Sequence, residues 1–486
     1  MLHIDPQNVD FPVPWGTRLM DALQAAGIYL DAPCGGNGTC GKCRVMVDGE
    51  AVLSCQRRVD RDMTVTVPGK AGLKVLQTGI AVRQKMNPIR DGHLLAFDIG
   101  TTSVVCFLLD GKTGEVLAES SMLNPQTAFG ADVISRIRAA LRGELERETG
   151  AIRDGMTMLI RRVCTDAGLS PGEIGVVSVV GNPAMQQLFL GLRPENLAGV
   201  PFAPVLTEAK SVPCVDILPI CANAELLIVP DISGYIGADT MGCILAARLY
   251  EKEEITLLVD IGTNGEMVLG NKDRMIACST AAGPALEGAN IRFGMRGTEG
   301  AIDHVWLENG ELRYSVLGGG VPEGICGSGL IDAVAAGLNM GLLNKRGRIQ
   351  NEDRTLRLTE RICLTQEDIR QVQLAKGAIY AGILLMAKQL GLEVKDIQKV
   401  QLAGAFGNYL NPESACRIGL LPEELLDRIE AVGNAAGSGA RLLACDRVQL
   451  SLAQQLTDKT EFLELASLPE FPRTFAKAMN FREEVL

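Results

Sequence analysis

The sequence predicts an α/β multidomain chain, a small strand-rich unit followed by two related α/β lobes. Three observations predict it. Four of the 14 cysteines fall within the 22 residues from Cys34 to Cys55. The string Asp98-Ile99-Gly100-Thr101 returns as Asp260-Ile261-Gly262-Thr263, 162 residues later, each time at the end of an apolar run. After each, a second apolar run ends in a Gly turn, at Gly181-Asn182-Pro183 and at Gly404-Ala405-Phe406-Gly407-Asn408. At 486 residues the chain is also longer than a single hydrophobic core serves.

Composition narrows the class. With 54 glycines and 4% aromatic residues, the chain suits many short strands joined by tight turns. A net charge of −11 argues against nucleic acid as the main partner. Met1-Leu2-His3-Ile4-Asp5 has neither the basic start nor the apolar core of a signal peptide. No stretch of 18 apolar residues runs without a charge, so no membrane span is expected. The cysteines outside the cluster are scattered among apolar neighbours and read as reduced core thiols, which fits the cytoplasm.

In the first unit, residues 1–68, Thr17 is placed to cap a short helix carrying Leu19, Met20, Leu23 and Ala26 on one face. Strands are expected over 44–47 and 51–55, joined at Asp48-Gly49, a strong hairpin-turn pair, and over 63–67. The cysteines Cys34, Cys40, Cys43 and Cys55 are spaced C-x5-C-x2-C-x11-C. A four-Cys zinc site usually draws its ligands from two short pairs, and only Cys40 and Cys43 form one. Plant-type ferredoxins hold a [2Fe–2S] cluster with C-x4-C-x2-C and a distant fourth Cys. Here the loop is one residue longer, and Gly35, Gly36, Gly38 and Gly41 let backbone N–H groups face cluster sulfides. The segment resembles a β-grasp ferredoxin, with zinc as the weaker alternative. Residues 69–92 read as a basic linker, with Lys70, Lys74, Arg83, Lys85 and Arg90, either solvated or a docking segment for an acidic redox partner.

From residue 93 each half reads as hairpin, helices, strand, Gly turn, helix. Helices are expected over 132–141 and 156–167 in the first lobe, 93–250. In the second, 251–486, they are expected over 330–338 and 368–390. In each D-I-G-T string an acid ends a buried strand, Gly permits a tight turn, and hydroxyls follow. Gly100, Thr101 and Thr102, with Gly262, Thr263 and Asn264, are candidate phosphate ligands. Asp98 and Asp260 are placed for a hydrated Mg²⁺. Two facing acids repel unless a cation lies between them, which suits a metal–triphosphate clamp. Glu266 is a candidate for positioning water, an exposed strand-end acid being the alternative. Gly283, in the stretch 281–288, and residues 318–329 are further candidate phosphate-side turns. The segment from Asp231 to Asp239 is expected to line the interlobe cleft.

These repeats resemble the actin-like ATPase superfamily of sugar kinases, heat-shock chaperones and actin. The resemblance implies ATP in a cleft between two ribonuclease H-like lobes, with the late turn Gly404, Ala405, Phe406 and Gly407 packed on the adenosine.

A ferredoxin fused to such an ATPase resembles the reductive activators of corrinoid-dependent methyltransferase systems. The matching strings include Asn124-Pro125-Gln126, Gly130-Ala131-Asp132, Gly181-Asn182-Pro183, Gly237-Ala238-Asp239, Ala282-Gly283-Pro284 and Gly404-Ala405-Phe406. The resemblance implies ATP-dependent transfer of one electron from a 2Fe–2S cluster to Co(II) of a corrinoid protein, regenerating Co(I) for methyl transfer. It also implies an external low-potential electron donor. Plant-type clusters lie near roughly −400 mV. The Co(II)/Co(I) couple implied by the resemblance is lower, and about 59 mV changes a one-electron equilibrium tenfold. ATP then has to favour a state that binds the partner differently. Larger relatives carry a middle domain associated with dimerisation. Only residues 69–92 separate ferredoxin from ATPase here, so that domain is expected to be missing and a homodimer is uncertain. The alternatives are an activator of another low-potential enzyme and a nucleotide-sensing electron-transfer module.

Overall fold

The computed structural model describes residues 1–6, 8–30, 32, 36, 38, 41–67, 79–80 and 91–482. Cys34, Cys40, Gly35 and all of the basic linker except Gly79, Ile80, Asp91 and Gly92 lie outside the described residues.

The N-terminal unit comprises β1 (Leu2–Asp5), β2 (Val9–Phe11), α1 (Leu19–Ala25), β3 (Arg44–Val47), β4 (Glu50–Leu53) and β5 (Met63–Thr66). Its five-stranded sheet runs β2-β1-β5-β3-β4, with β1 and β5 parallel at the centre. Leu19 and Leu23 of α1 pack on Ile4, Val45 and Val65 of the sheet. This is the β-grasp arrangement. The β3–β4 turn is the expected one, with Asp48 and Gly49 both at positive φ. Thr17 does not cap α1. Its hydroxyl donates to the Pro14 carbonyl (2.7 Å), and Arg18 is the cap residue, without a side-chain cap.

The first lobe contains β6 (His93–Ile99), β7 (Ser103–Asp110), β8 (Val116–Leu123), α2 (Val133–Ala139) and α3 (Leu145–Ala167). It continues with β9 (Ile174–Gly181), α4 (Pro183–Leu190), β10 (Lys210–Pro213), β11 (Glu225–Ile228) and α5 (Ala238–Ala247). Helix α3 starts earlier than the sequence suggests. Gly150 and Gly155 mask its first turns, and at Gly155 a Cβ would press on Met122 and Pro125 at 3.1 Å.

The second lobe opens with β12 (Thr256–Ile261), β13 (Gly265–Gly270), β14 (Met275–Thr280), β15 (Ala301–Glu308), β16 (Glu311–Val316) and β17 (Gly324–Ile325). There follow α6 (Gly327–Asn339), β18 (Thr355–Arg357), β19 (Cys363–Thr365), α7 (Gln366–Gln389), β20 (Lys399–Ala403) and α8 (Gly404–Tyr409). It closes with α9 (Pro412–Ile418), β21 (Ile429–Gly433), α10 (Ala435–Cys445), α11 (Arg447–Lys459), β22 (Thr460–Phe462) and α12 (Phe471–Ala478).

The lobes share a five-stranded core of one topology and differ in the sixth, edge strand, β10 in one and β22 in the other. One sheet runs β10-β11-β9-β6-β7-β8 and the other β21-β20-β12-β13-β14-β22. In each, an antiparallel three-stranded meander adjoins two parallel strands. The strand after the second parallel step leads into α5 in one lobe and α10 in the other. These two helices pack together between the sheets. Their core gathers Leu94 and Phe107 from the first sheet with Leu258 and Val268 from the second. They approach closely because both carry glycine at the crossing: a Cβ on Gly439 would lie 2.2 Å from the Gly242 carbonyl oxygen. Ile80 of the linker packs against this same core. The ferredoxin unit meets the first lobe at α3, where the Arg147 guanidinium donates to Asp21 (3.3 Å) and Gln24 (2.9 Å) of α1.

Candidate functional site

The redox site is built at the end of the β3–β4 hairpin. Cys43 precedes β3 and Cys55 follows β4, so pairing of the strands brings two thiols together that are twelve positions apart in the chain. Both are buried and share a small apolar cluster with Met20 and Ala32. Burial, then the neighbouring Cys43, raises the Cys55 thiol above its ordinary pKa. Gln56 Nε2 donates to the Gly36 carbonyl (3.2 Å) and to Cys55 Sγ (3.5 Å). Gly36 and Gly38 hold positive φ, and a Cβ on Gly38 would sit 2.9 Å from the Gln56 side chain. Two converged thiols beside glycines at positive φ fit a Cys-ligated cluster.

The second site is the cleft between the lobes, a cavity of about 260 Å³. The paired D-I-G-T loops face one another across it. Asp98, Gly100, Thr101 and Thr102 line one side, and Asp260, Gly262, Thr263, Asn264 and Glu266 line the other. The loops hold by hydrogen bonds that the strands position. Gly100 and Gly262 each close a turn, the Gly100 N–H on the Ser103 carbonyl and the Gly262 N–H on the Asn264 carbonyl, both 2.9 Å. Asn124 Nδ2 donates to the Gly100 carbonyl (2.8 Å) and Asn182 Nδ2 to Thr101 Oγ1 (3.1 Å). Arg136, fully buried, donates to the Thr101 and Gly130 carbonyls. Burial lowers its pKa to about 10, so it stays a cation at neutral pH.

The cleft floor concentrates negative charge. Burial, then the charge of Asp260, pushes Asp98 up to about 7, against a hydrogen bond from Asn434. Burial raises Asp239, at the start of α5, to about 7 and Asp260 to about 6. Glu266 is raised well above its ordinary value by burial, then by Asp239 and Asp260. The Cys243 thiol donates to Asp260 Oδ2 at 3.6 Å. Arg296 also lines the cleft, and four crowded acids there favour a bound cation, which is the electrostatics of a metal–nucleotide site. Among the described residues no group of three or more His, Cys, Asp or Glu is preassembled to hold an ion.

Other sequence candidates divide. Gly404 and Phe406 line the cleft. Gly404 is at φ +83 and so close to Asp260 that a Cβ would fall 2.5 Å from its Oδ1. Ala405 belongs to α8, and Gly407 packs against Leu402 of β20. Gly283 is not part of the lining either, although Leu286 and Glu287 of the same stretch are. From residues 318–329, Cys326, Gly327 and Ser328 reach the cleft at the start of α6. Of the Asp231–Asp239 segment, Asp239 lines the cleft, while Asp231 is buried beside it and bonded by Gln186.

Asn434 and Cys243 were not singled out by sequence. A signal for Asn434 exists: strand–Gly–Asn–helix occurs at Gly181-Asn182 and again at Gly433-Asn434, and both asparagines cap a helix through their side chains. Cys243 sits in an apolar helix that looks like core.

Family models match the chain almost end to end. They are described as a 2Fe-2S iron-sulfur cluster binding domain, over residues 2–66, the RACo middle region, over 94–252, and the C-terminal domain of RACo, the ASKHA domain, over 254–486. The corrinoid activation enzyme RamQ of Eubacterium limosum is 38% identical over 436 residues, covering 84% of this chain and 73% of that protein. The chain belongs to the RACo family of reductive activators of corrinoid proteins. The corrinoid protein reductase for methylated amines of Methanosarcina barkeri is 28% identical, covering 75% of this chain and 72% of that one. A solved reductive activator for corrinoid, iron-sulfur protein superposes with a TM-score of 0.75 at 29% identity, over 99% of this chain and 98% of that one. One expectation is corrected. The RACo middle region is not missing: its match falls on 94–252, the segment read from sequence as the first ATPase lobe.

As a RACo-family member the chain is an ATP-dependent reductive activase with a 2Fe–2S cluster, ATP and Mg²⁺ as cofactors and a corrinoid protein as partner. Among the described residues no helix is long and apolar enough to cross a membrane.

Proposed function

We propose that this chain delivers one electron at a time to Co(II) of a methyltransferase-system corrinoid protein, with Mg·ATP bound between Asp98 and Asp260. The observation that carries the reading is the cleft itself, where two copies of one loop and the start of α5 bring four half-buried acids and a set of N–H and hydroxyl donors together.

Asp98 and Asp260 hold the waters of the metal, which removes their mutual repulsion. Thr101, Thr102, Thr263 and Asn264 donate to phosphate oxygens, while Gly100 and Gly262, whose N–H groups close the turns, let the backbone approach the phosphates. Gly404 and Phe406 stand on the adenosine side, with Ala405 and Gly407 supporting the turn. Glu266 orients water at the start of β13. Cys34, Cys40, Cys43 and Cys55 hold the cluster, which supplies a low-potential one-electron donor when bound. An external donor recharges it, and the chain works in the cytoplasm. The redox unit spans 1–68, joined by 69–92 to lobes at 93–250 and 251–486, and pairing of two copies is a further part of the proposal.

Motion of the lobes gives ATP its leverage. Helices α5 and α10 pack together between the lobes, and linker residue Ile80 rests on the same core. A change in lobe angle at this crossing therefore reaches the linker that carries the ferredoxin. Asp260→Ala tests the clamp: Mg·ATP turnover should vanish while the visible absorption of the cluster stays. Wild-type turnover in this variant would show that the metal clamp is misplaced.

A further inference from the structure

Glu287 has a position that the roles above leave unused. Its Oε2 accepts a hydrogen bond from Thr102 Oγ1 (3.0 Å) and another from Thr263 Oγ1 (2.8 Å). Thr102 belongs to the first lobe's loop and Thr263 to the second lobe's loop, so a single carboxylate oxygen joins the two halves of the clamp. The two hydroxyls are among those read as phosphate donors.

The carboxylate is held firmly. Glu287 ends the short turn Pro284–Glu287, closed by Gly288 at φ +79. A Cβ on Gly288 would lie 2.3 Å from the Met295 carbonyl oxygen. One residue back, the Leu286 carbonyl presses on Gly327 at the start of α6, where a Cβ would meet it at 1.8 Å. The turn is thus wedged between α6 and the Met295 strip, and Glu287 is aimed at the two loops.

We propose that Glu287 is a positioning residue that takes the place of a phosphate oxygen in the nucleotide-free protein. It is anionic, it accepts from hydroxyls on both loops, and it ties the lobes together before ATP arrives. A phosphate group offers the same acceptor chemistry with more charge. Binding of Mg·ATP therefore exchanges one anion for another: the threonine hydroxyls pass to phosphate oxygens and the Glu287 carboxylate withdraws. Release of this tie frees one lobe to move relative to the other, and nucleotide occupancy becomes a change in lobe arrangement. The inference rests on the reading of the cleft as the Mg·ATP site.

The consequence has a sign opposite to that of an ordinary ligand. Removing Glu287 removes a competitor for both hydroxyls and a negative charge beside the triphosphate. Two hydroxyl–carboxylate bonds and one repulsive charge predict roughly tenfold or greater tightening of nucleotide binding.

The test uses the full chain with its cluster, and a fluorescent ATP analogue with Mg²⁺ as probe. Glu287→Ala is expected to lower its Kd at least tenfold and to lower the KM for ATP without raising kcat. Glu287→Gln, which keeps an acceptor oxygen but no charge, is expected to fall between the two. In a Thr102→Val, Thr263→Val background the gain from Glu287→Ala should disappear. Weaker or unchanged nucleotide binding in Glu287→Ala and Glu287→Gln, with cluster absorption intact, overturns the proposal. Absence of Mg·ATP binding in the wild type itself would instead overturn the reading of the cleft.

Discussion

Replacing Asp98 by asparagine should stabilise the nucleotide-free protein while abolishing its ATPase activity. The folded-state pKa of Asp98 rises from 3.8 to about 7, chiefly through burial and then through Asp260. A carboxyl with a raised folded pKa contributes its full stability below its unfolded value, and that contribution is lost as pH climbs through the folded value. The full shift corresponds to roughly 4 kcal/mol by linkage. Solvent in the cleft and joint titration with Asp260 reduce this, so the expected gain at pH 8 is about 1–4 kcal/mol, and near zero at pH 4. Asparagine keeps the shape and an acceptor for Asn434 but carries no charge. At about 2–4 °C per kcal/mol for a unit of this size, the gain is readable. The assay is thermal unfolding of the full chain at pH 5 and pH 8 with Mg²⁺ chelated, beside Mg·ATP turnover. The wild type should lose more stability than Asp98→Asn between the two pH values. If Asp98→Asn is the less stable protein at pH 8 without Mg²⁺, the carboxylate is satisfied by its neighbours and the argument for a missing cation fails.

Other outcomes follow from separate parts of the structure. Cys55→Ser should remove the visible absorption of the cluster and leave Mg·ATP binding unchanged, as checked by spectroscopy and titration; loss of both contradicts independent sites. Gly439→Val places a branched side chain where a Cβ already lies 2.2 Å from the Gly242 carbonyl oxygen. Overpacking of this kind costs about 1–3 kcal/mol or more, so the variant should melt lower and bind nucleotide more weakly than wild type. Arg147→Ala breaks a half-exposed contact between ferredoxin and first lobe, and such surface pairs contribute about 0–1 kcal/mol. Melting should therefore shift little, and a large drop would mean that the two units fold as one.

Local chemistry made much of this molecule readable before its fold was seen. The Asp48-Gly49 turn, the cysteine spacing and the D-I-G-T echo each depend on a few adjacent residues; the turn closes the β3–β4 hairpin, both D-I-G-T loops line the cleft, and of the four cysteines Cys43 and Cys55 are seen to converge. The second echo held as well, since Gly181 and Gly404 end equivalent parallel strands, β9 and β20. What sequence did not reveal depends on distant partners. Asn434 matters because β21 delivers it beside Asp98, 336 positions earlier in the chain. The crossing of Gly242 and Gly439 exists only when both lobes are assembled. Glu287 sits in a stretch flagged for its glycines, yet Gly283 turned out to shape the turn while the acid four residues later reaches both loops. Gly155 hid the first half of α3, because a helix-breaking residue was in fact a packing site for Met122 and Pro125.

The central claim is that Mg·ATP in this cleft drives an electron from the ferredoxin unit onto a corrinoid. It is tested most directly by following the absorption of a purified Co(II) corrinoid protein of a methyltransferase system with this chain and a low-potential donor. The account predicts that Co(I) accumulates only when Mg·ATP is added, and that Asp260→Ala and Cys55→Ser each abolish the response. Co(I) formation that proceeds equally without ATP, or unimpaired in Asp260→Ala, would contradict it.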